Sequence, residues 1–207
     1  MIPRTIAIAV ICCTGFMTSA QAQDASMSFF ITSVNPGDGG NLGGLEGADT
    51  YCTSLAETAG VPGKTWAAYL SSSTENARDR IGTGPWMNAN GVVVAEDVAN
   101  LHDAEANNLS KEDSLSETGE VINGRGDQPN RHDILTGSNA QGTLVGAACL
   151  DWTSNSPESS AMVGHHDRTG GGADPTSWSA AHPSRGCSLE NLRGTGGDGL
   201  FYCFATN

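Results

Sequence analysis

Positive charge is scarce in this sequence. Ten Lys+Arg stand against 23 Asp+Glu among 207 residues, which gives a formal net charge of −13 at pH 7. A field of this sign repels polyanions such as DNA or heparin. We therefore expect no nucleic-acid partner, whereas neutral sugars, cations and other proteins remain open as partners.

Long apolar runs are also scarce in the sequence. The run over residues 6–17 follows Arg4 and is too short to span a membrane. Small residues, Ala-Gln-Ala, come after it, as they do in a secretory signal peptide. We predict a signal peptide over residues 1–22 and a single secreted or periplasmic domain over residues 23–207, without membrane insertion.

Closely spaced cysteine pairs are absent after the predicted leader, which itself contains Cys12 and Cys13. Outside the leader the chain has Cys52, Cys149, Cys187 and Cys203, with no C-x-x-C among them. The wide spacings disfavour a cysteine zinc site, and an even number of cysteines in an oxidising compartment predicts two disulfides. Three connectivities remain open at this point.

Common enzyme motifs are missing as well. There is no G-x-S-x-G, no H-E-x-x-H and no EF-hand loop. Gly194-x-Gly196-x-x-Gly199 matches a dinucleotide-binding pattern, but it precedes a predicted strand instead of following one. We therefore expect a binding protein and not an enzyme.

The chain is organised around residues 199–204, where bulky residues follow a glycine-rich approach. Their short run and aromatic content predict a strand that is buried on both faces. Burial of each large apolar side chain contributes roughly 1.5–3 kcal/mol, so this segment belongs in the core. A bridge from Cys203 to Cys52 would fasten it to the first helix.

Local patterns predict the other elements. Apolar residues over 45–59 recur on one helical face, and Gly60 is placed to end that helix. An Asn-Gly turn between Trp86 and Val92 predicts a hairpin. Further strands are predicted at 28–34, 65–70, 133–136, 148–153 and 160–164, and a short helix at 71–80. The polar, acidic segment 96–128 predicts long loops, which are usually functional or poorly ordered.

Several motifs resemble those of endostatin-like domains. Gly47-Ala48-Asp49-x-x-Cys52 precedes Thr65-Trp66-Ala67-Ala68-Tyr69-Leu70-Ser71, and Cys149-x-x-Trp152-Thr153 precedes Cys187 and Cys203. The resemblance covers most of the chain after the leader. It implies an α+β, C-type-lectin-like fold with short helices on a twisted antiparallel sheet and long loops. It also implies nested disulfides, Cys52–Cys203 and Cys149–Cys187.

The same resemblance implies a secreted, lectin-like binding module that recognises a carbohydrate or glycoprotein. The arginine-rich surface with which endostatin binds heparin is absent here, and so is its histidine-rich, zinc-binding N-terminus. The resemblance therefore supplies the fold and the bridges, and not the ligand.

Gln128-Pro129-Asn130 resembles the tripeptide with which calcium-dependent lectins hold Ca²⁺ and a sugar. Carbonyl oxygens on a proline-fixed loop suit Ca²⁺. The second half of that signature, Trp-Asn-Asp, is Trp152-Thr153-Ser154 here and lacks the required oxygens. A turn stabilised by Pro and Asn is the simpler prediction, and Ca²⁺ or Zn²⁺ stays open as a cofactor.

Arg125-Gly126-Asp127 spells an integrin-type adhesion tripeptide, a signal of low specificity. It leaves an adhesion or structural interaction protein as an alternative function. The broader prediction is a hydrogen-bonded polar cluster at a ligand site or in structural packing. Its members are Arg125, Asp127, Asn130, Arg131, His132 and Asp133.

A second polar cluster comprises His165, His166, Asp167 and His182. With His132 and Asp133 it predicts a zinc site or a general-base pair, and the alternative is that the histidines bind loop backbone. Successive strand residues point to opposite faces, so His165 and His166 cannot both ligate one metal unless a turn begins there. Under the lectin hypothesis these polar groups bind sugar hydroxyls while Trp86 or Trp178 stacks on the sugar.

Overall fold

The structure is a computed structural model that describes residues 25–207, so the predicted signal peptide lies outside it. The helices are α1 (Gly44–Thr58), α2 (Ala77–Arg80), α3 (Val98–Leu101), α4 (Ala148–Trp152) and α5 (Leu189–Thr195). The strands are β1 (Phe29–Ile31), β2 (Trp66–Ala68), β3 (Trp86–Met87), β4 (Val93–Ala95), β5 (Asp133–Leu135), β6 (Met162–His165), β7 (His182–Pro183) and β8 (Gly197–Ala205). The fold is mixed α+β, as predicted, but the sheet is not purely antiparallel because β5 pairs with β8 in parallel.

Strand β8 lies at the centre of the main sheet. It pairs antiparallel with β1 and β2 and parallel with β5, and β6 and β7 extend the sheet beyond β5. All of its residues are buried. Leu200, Tyr202 and Phe204 belong to one apolar cluster, while Phe201 and Cys203 belong to a second one. Because strand residues alternate between faces, β8 is buried on both sides, which confirms the prediction.

Both predicted disulfides are present. Cys52–Cys203 and Cys149–Cys187 each have a Cα–Cα distance of 5.7 Å, within the usual range for a bridge. The first joins β8 to α1, whose buried face is Ala48, Cys52 and Ala56. Two disulfides are compatible with an extracellular location.

The local predictions hold for several elements. The first helix and the opening strand occur where the pattern placed them, as α1 and β1. Strands β3 and β4 form the predicted hairpin, in which Asn88 Oδ1 accepts from the backbone N–H of Asn90 and Val92 at 3.0 Å. The second helix is only the four residues of α2, which begins at buried Ala77 and is followed by buried Ile81.

The strand predicted at 148–153 is wrong. Residues 148–152 instead form the left-handed turn α4, with φ between 40° and 65° at five non-glycine residues. Each left-handed residue costs roughly 1–2 kcal/mol, so the surroundings must hold the turn in place. Trp152 Nε1–H donates to the Ser71 carbonyl at 2.8 Å, Asp151 Oδ1 accepts from Ser73 N–H at 2.8 Å, and Cys149 is bridged.

The acidic segment 96–128 packs against the rest of the chain. Leu101, Leu109, Leu115 and Ile122 are buried and anchor it. From a distant loop, the Arg168 guanidinium donates to the carbonyls of Leu109 at 2.6 Å and of Ala104 at 3.0 Å. No helix among residues 25–207 has the length and apolar character needed to cross a bilayer.

Trp86 and Trp178 are core residues, so the prediction that either ring stacks on a ligand is wrong. Trp86 is 0% exposed and Trp178 is 3% exposed. Their Nε1–H groups donate to Ala205 O at 3.1 Å and Leu101 O at 3.2 Å. Their rings pack against Phe204 and against two tyrosines, and this aromatic core leaves neither face to solvent.

We expect loss of the Cys52–Cys203 bridge to destabilise the protein more than loss of Cys149–Cys187. The bridges close loops of 151 and 38 residues, for which chain entropy predicts about 5 and about 4 kcal/mol of stabilisation. The Cys52→Ala/Cys203→Ala variant should therefore unfold at a lower urea concentration than Cys149→Ala/Cys187→Ala, as followed by far-UV circular dichroism. Equal midpoints, or the opposite order, would contradict this assignment.

Candidate metal centre

Three adjacent strands bring four polar side chains to one point. Asp133 opens β5 and His132 precedes it, His165 ends β6, and His182 opens β7. Cross-strand pairing places Asp133 opposite His165 and Val163 opposite His182. An irregularity in the β5–β8 register falls next to Asp133, and such bulges re-aim neighbouring side chains.

The four groups meet around Oδ1 of Asp133. This atom lies 3.1 Å from His132 Nε2, 3.3 Å from His165 Nε2 and 3.7 Å from His182 Nε2. The Nε2 atoms of His165 and His182 are 3.0 Å apart. Ligands at the zinc–nitrogen and zinc–oxygen bond lengths form a tetrahedron with edges of about 3.3 Å. Donor atoms of His132, Asp133 and His165 lie within 4.8 Å of one another, and His182 stands beside this group, next to Asp133 and His165.

The opposite ring nitrogens determine where the protons lie. Nδ1 of His165 is 2.9 Å from the Pro175 carbonyl, and Nδ1 of His182 is 3.2 Å from the Pro183 carbonyl. Nδ1 of His132 is 3.3 Å from Oδ1 of Asp167. Carbonyl and carboxylate oxygens only accept, so each Nδ1 can donate to its oxygen partner, and a ring that does so in its neutral form leaves Nε2 free to bind a cation.

Three imidazole Nε2 atoms therefore converge on a buried carboxylate. Asp133 is 2% exposed at its side chain, and neither of its oxygens accepts an aligned hydrogen bond within residues 25–207. A buried negative charge without aligned hydrogen bonds is costly. A cation between His132, Asp133 and His165 would offset this cost, and His182 lies close enough to Asp133 to approach it.

The surrounding groups support this charge arrangement. Burial opposes the ionised form of Asp167, but hydrogen bonds from His132, Arg125 N–H and Thr169 N–H outweigh burial and hold the pKa of this carboxyl well below its usual range. Burial disfavours protonation of His165, yet the neighbouring Asp133 carboxylate and the Pro175 carbonyl raise the pKa of His165.

Two glycines let the backbone approach the cluster closely. A Cβ on Gly170 would lie 2.9 Å from Cε1 of His165, and one on Gly196 would lie 3.2 Å from both His132 Nε2 and Asp133 Oδ2. Both glycines have positive φ, at 134° and 142°, where side chains are disfavoured. His182, with 24% of its side chain exposed, is the most accessible of the four polar residues.

His166 points away from this centre. Its Nε2 contacts the Asn123 carbonyl at 3.2 Å, so the two consecutive histidines serve different sites, as strand alternation predicts. Burial lowers the pKa of His166 to about 4, which keeps the ring neutral at physiological pH.

The adhesion tripeptide is engaged within the protein. The Asp127 carboxylate binds Lys111 Nζ at 2.6 Å and Gly124 N–H at 2.8 Å, and these bonds lower the pKa of Asp127. The Arg125 N–H donates to Asp167 at 2.6 Å, while the Arg125 side chain is not part of the metal centre.

Gln128, Asn130 and Arg131 line a separate polar cleft of about 460 Å³. Its other lining residues are Pro129, Arg193, Gly197 and Asp198. Asp198 binds Arg193 Nε at 2.6 Å and lies 3.1 Å from Arg131 Nε. Residues 152–154, the other half of the calcium-lectin signature, do not line this cleft.

Sequence reasoning did not identify Arg193, Asp198, Gly170 or Gly196 as site residues. The last strand places Gly197 opposite Asp133, a parallel pairing that no local pattern indicates. The sequence matches no model of a known protein family and no curated protein.

The hydrogen-bond pattern predicts the tautomers of the histidines. With a cation bound at the centre, His132, His165 and His182 should be protonated at Nδ1, because each Nε2 would bind the ion and each Nδ1 faces an oxygen acceptor. His166 should be protonated at Nε2 and provides the internal control. Long-range ¹H–¹⁵N correlation spectra distinguish the two forms, and Nε2 protonation of His165 and His182 would contradict the arrangement.

Proposed function

We propose that the protein is a secreted binding module that holds one zinc ion through His132, Asp133, His165 and His182. The observation that carries this proposal is the convergence of three imidazole Nε2 atoms on the unpaired, buried carboxylate of Asp133. Metal-ligating histidines usually donate the other ring N–H to a carbonyl or carboxylate, and all three do so here.

The donor set favours zinc over calcium. Calcium prefers six to eight oxygen ligands, whereas imidazole nitrogens suit zinc and neighbouring transition metals. Zn²⁺ adds two positive charges beside the carboxylates of Asp133 and Asp167, so the local charge is balanced. The acidic chain also attracts cations to its surface.

His132, Asp133 and His165 form the close donor group, and His182 as the fourth donor would complete a tetrahedral coordination sphere, an arrangement typical of structural zinc. The ion would join the start of β5 to the end of β6 and the start of β7. It would also fix both ends of the glycine-rich segment 166–181, which lies between His165 and His182. We therefore assign the ion a stabilising role for the loops around the cleft.

We place the fold in the endostatin-like branch of the C-type-lectin-like folds. The nested disulfides support this placement, with Cys52 on the first helix bridged to Cys203 on the last strand. The order of α1, β2 and β8 agrees with it as well.

Carbohydrate binding in the polar cleft is the second candidate function. The side chains of Gln128 and Asn130 face this cleft together with two arginines, which is the hydrogen-bonding chemistry that sugar hydroxyls require. Polar contacts would have to provide the recognition, because Trp86 and Trp178 are buried.

Zinc binding should be stoichiometric and stabilising. At a free zinc concentration 100 times Kd, binding contributes about 2.7 kcal/mol, which raises the Tm of a chain of this size by roughly 5–10 °C. Zinc content by mass spectrometry and thermal unfolding with and without chelator measure both effects. Cobalt(II) in place of zinc should give the intense visible bands of tetrahedral coordination.

Matched variants test the ligand set. His165→Gln should abolish stoichiometric zinc, and His182→Ala, at the most exposed ligand, should weaken binding at least tenfold. His166→Gln serves as the control because it retains a donor for the Asn123 carbonyl. Full zinc retention in the His165 and His182 variants would overturn the proposal, as would a wild-type protein that takes up no zinc.

Asp167 should act on the metal through His132. Asp167→Asn weakens the acceptor for His132 Nδ1–H, and loss of such a partner typically costs 10–100-fold in metal affinity. Asp174→Asn removes the same charge from an exposed position in the same loop and should leave zinc affinity unchanged. Equal effects of the two substitutions would indicate that only net charge matters.

A further inference from the structure

The polar cleft has an excess of hydrogen-bond donors. Its single carboxylate, Asp198, binds Arg193 Nε through Oδ1, and Oδ2 lies 3.1 Å from Arg131 Nε. The terminal guanidinium nitrogens of Arg131 and Arg193 have no hydrogen-bond partner among residues 25–207. Asn130 uses Oδ1 to accept from His132 N–H, so its Nδ2 donor remains free within the same range.

The charge in the cleft has the opposite sign to the charge of the chain. Two guanidinium groups face one carboxylate, so the lining carries one uncompensated positive charge, while the chain as a whole carries −13. Planar guanidinium groups bind carboxylates through two parallel hydrogen bonds. Free donors and one net positive charge together match a ligand with a single negative charge.

We propose that this cleft binds its ligand through a carboxylate held by Arg131 and Arg193. The proposal that the ligand carries a carboxylate rests on the arginines alone. The proposal that this ligand is an acidic monosaccharide rests in addition on the carbohydrate-binding function proposed above. Nδ2 of Asn130 and the Gln128 amide would bind hydroxyls beside the carboxylate. The acidic surroundings repel long polyanions, so the cleft suits one acidic group and not a charged polymer.

Calorimetric titration of the zinc-loaded, full mature chain tests the proposal with four probes: glucuronate, methyl glucoside, acetate and inorganic phosphate. Glucuronate should bind at least tenfold more tightly than methyl glucoside, and acetate should compete with it. Each arginine would donate hydrogen bonds to a charged group, which contribute to the binding free energy. Arg131→Gln and Arg193→Gln should therefore each reduce glucuronate affinity roughly tenfold or more.

Arg193 is mostly exposed at its side chain, so its substitution leaves the fold intact. Arg185→Gln is the matched control, because this exposed arginine does not line the cleft and its loss changes net charge equally. Glucuronate affinity should be unchanged in that variant.

Several outcomes would overturn the proposal. These are equal affinity for methyl glucoside and glucuronate, tighter binding of phosphate than of either carboxylate probe, and unchanged affinity in both arginine variants. If His182→Ala lost glucuronate binding while both arginine variants kept it, the anion would bind at the metal and not in the cleft. The zinc proposal would then remain intact. Arginine-dependent binding of acetate that is as tight as that of glucuronate would support the carboxylate site and remove the carbohydrate.

Discussion

Burial of β8 on both faces is the constraint on which the other elements depend. Its side chains alternate between two apolar clusters, so a shift by one residue would exchange every contact that the strand makes. The Cys52–Cys203 bridge holds the same register covalently. Parallel pairing with β8 then sets the position of β5, and thereby of Asp133, in the candidate metal centre.

Residues 196–198, where β8 begins, border both candidate sites. Gly196 lies against His132 and Asp133, and Asp198 holds the two arginines of the cleft. Asn130 joins the sites from the other side, because it accepts from His132 N–H and lines the cleft. A cation beside Asp133 would therefore stiffen one wall of the cleft, which gives a physical route by which metal could influence a ligand that it never contacts.

The correct sequence predictions rest on patterns among neighbouring residues. The wrong predictions concern features that depend on tertiary contacts. Periodicity located α1, and an Asn-Gly turn located the β3–β4 hairpin, because both patterns act over a few neighbouring residues. Tryptophan content could not indicate that Trp86 and Trp178 fill the core, since this depends on partners far along the chain. The left-handed turn α4 depends on Ser71, Ser73 and Cys187, and the cleft depends on a parallel pairing of distant strands. Clustering of histidine and aspartate in the sequence did indicate residues that lie together in the structure, although strand alternation alone could not choose between His165 and His166.

The position of β8 in the sequence has a consequence for biosynthesis. Phe29 pairs with Phe204, so β1 has no partner in the main sheet until the ribosome has delivered residues 197–205. Until then the nascent polypeptide exposes apolar strands with open edges, a state prone to aggregation, and pairings between distant segments form slowly.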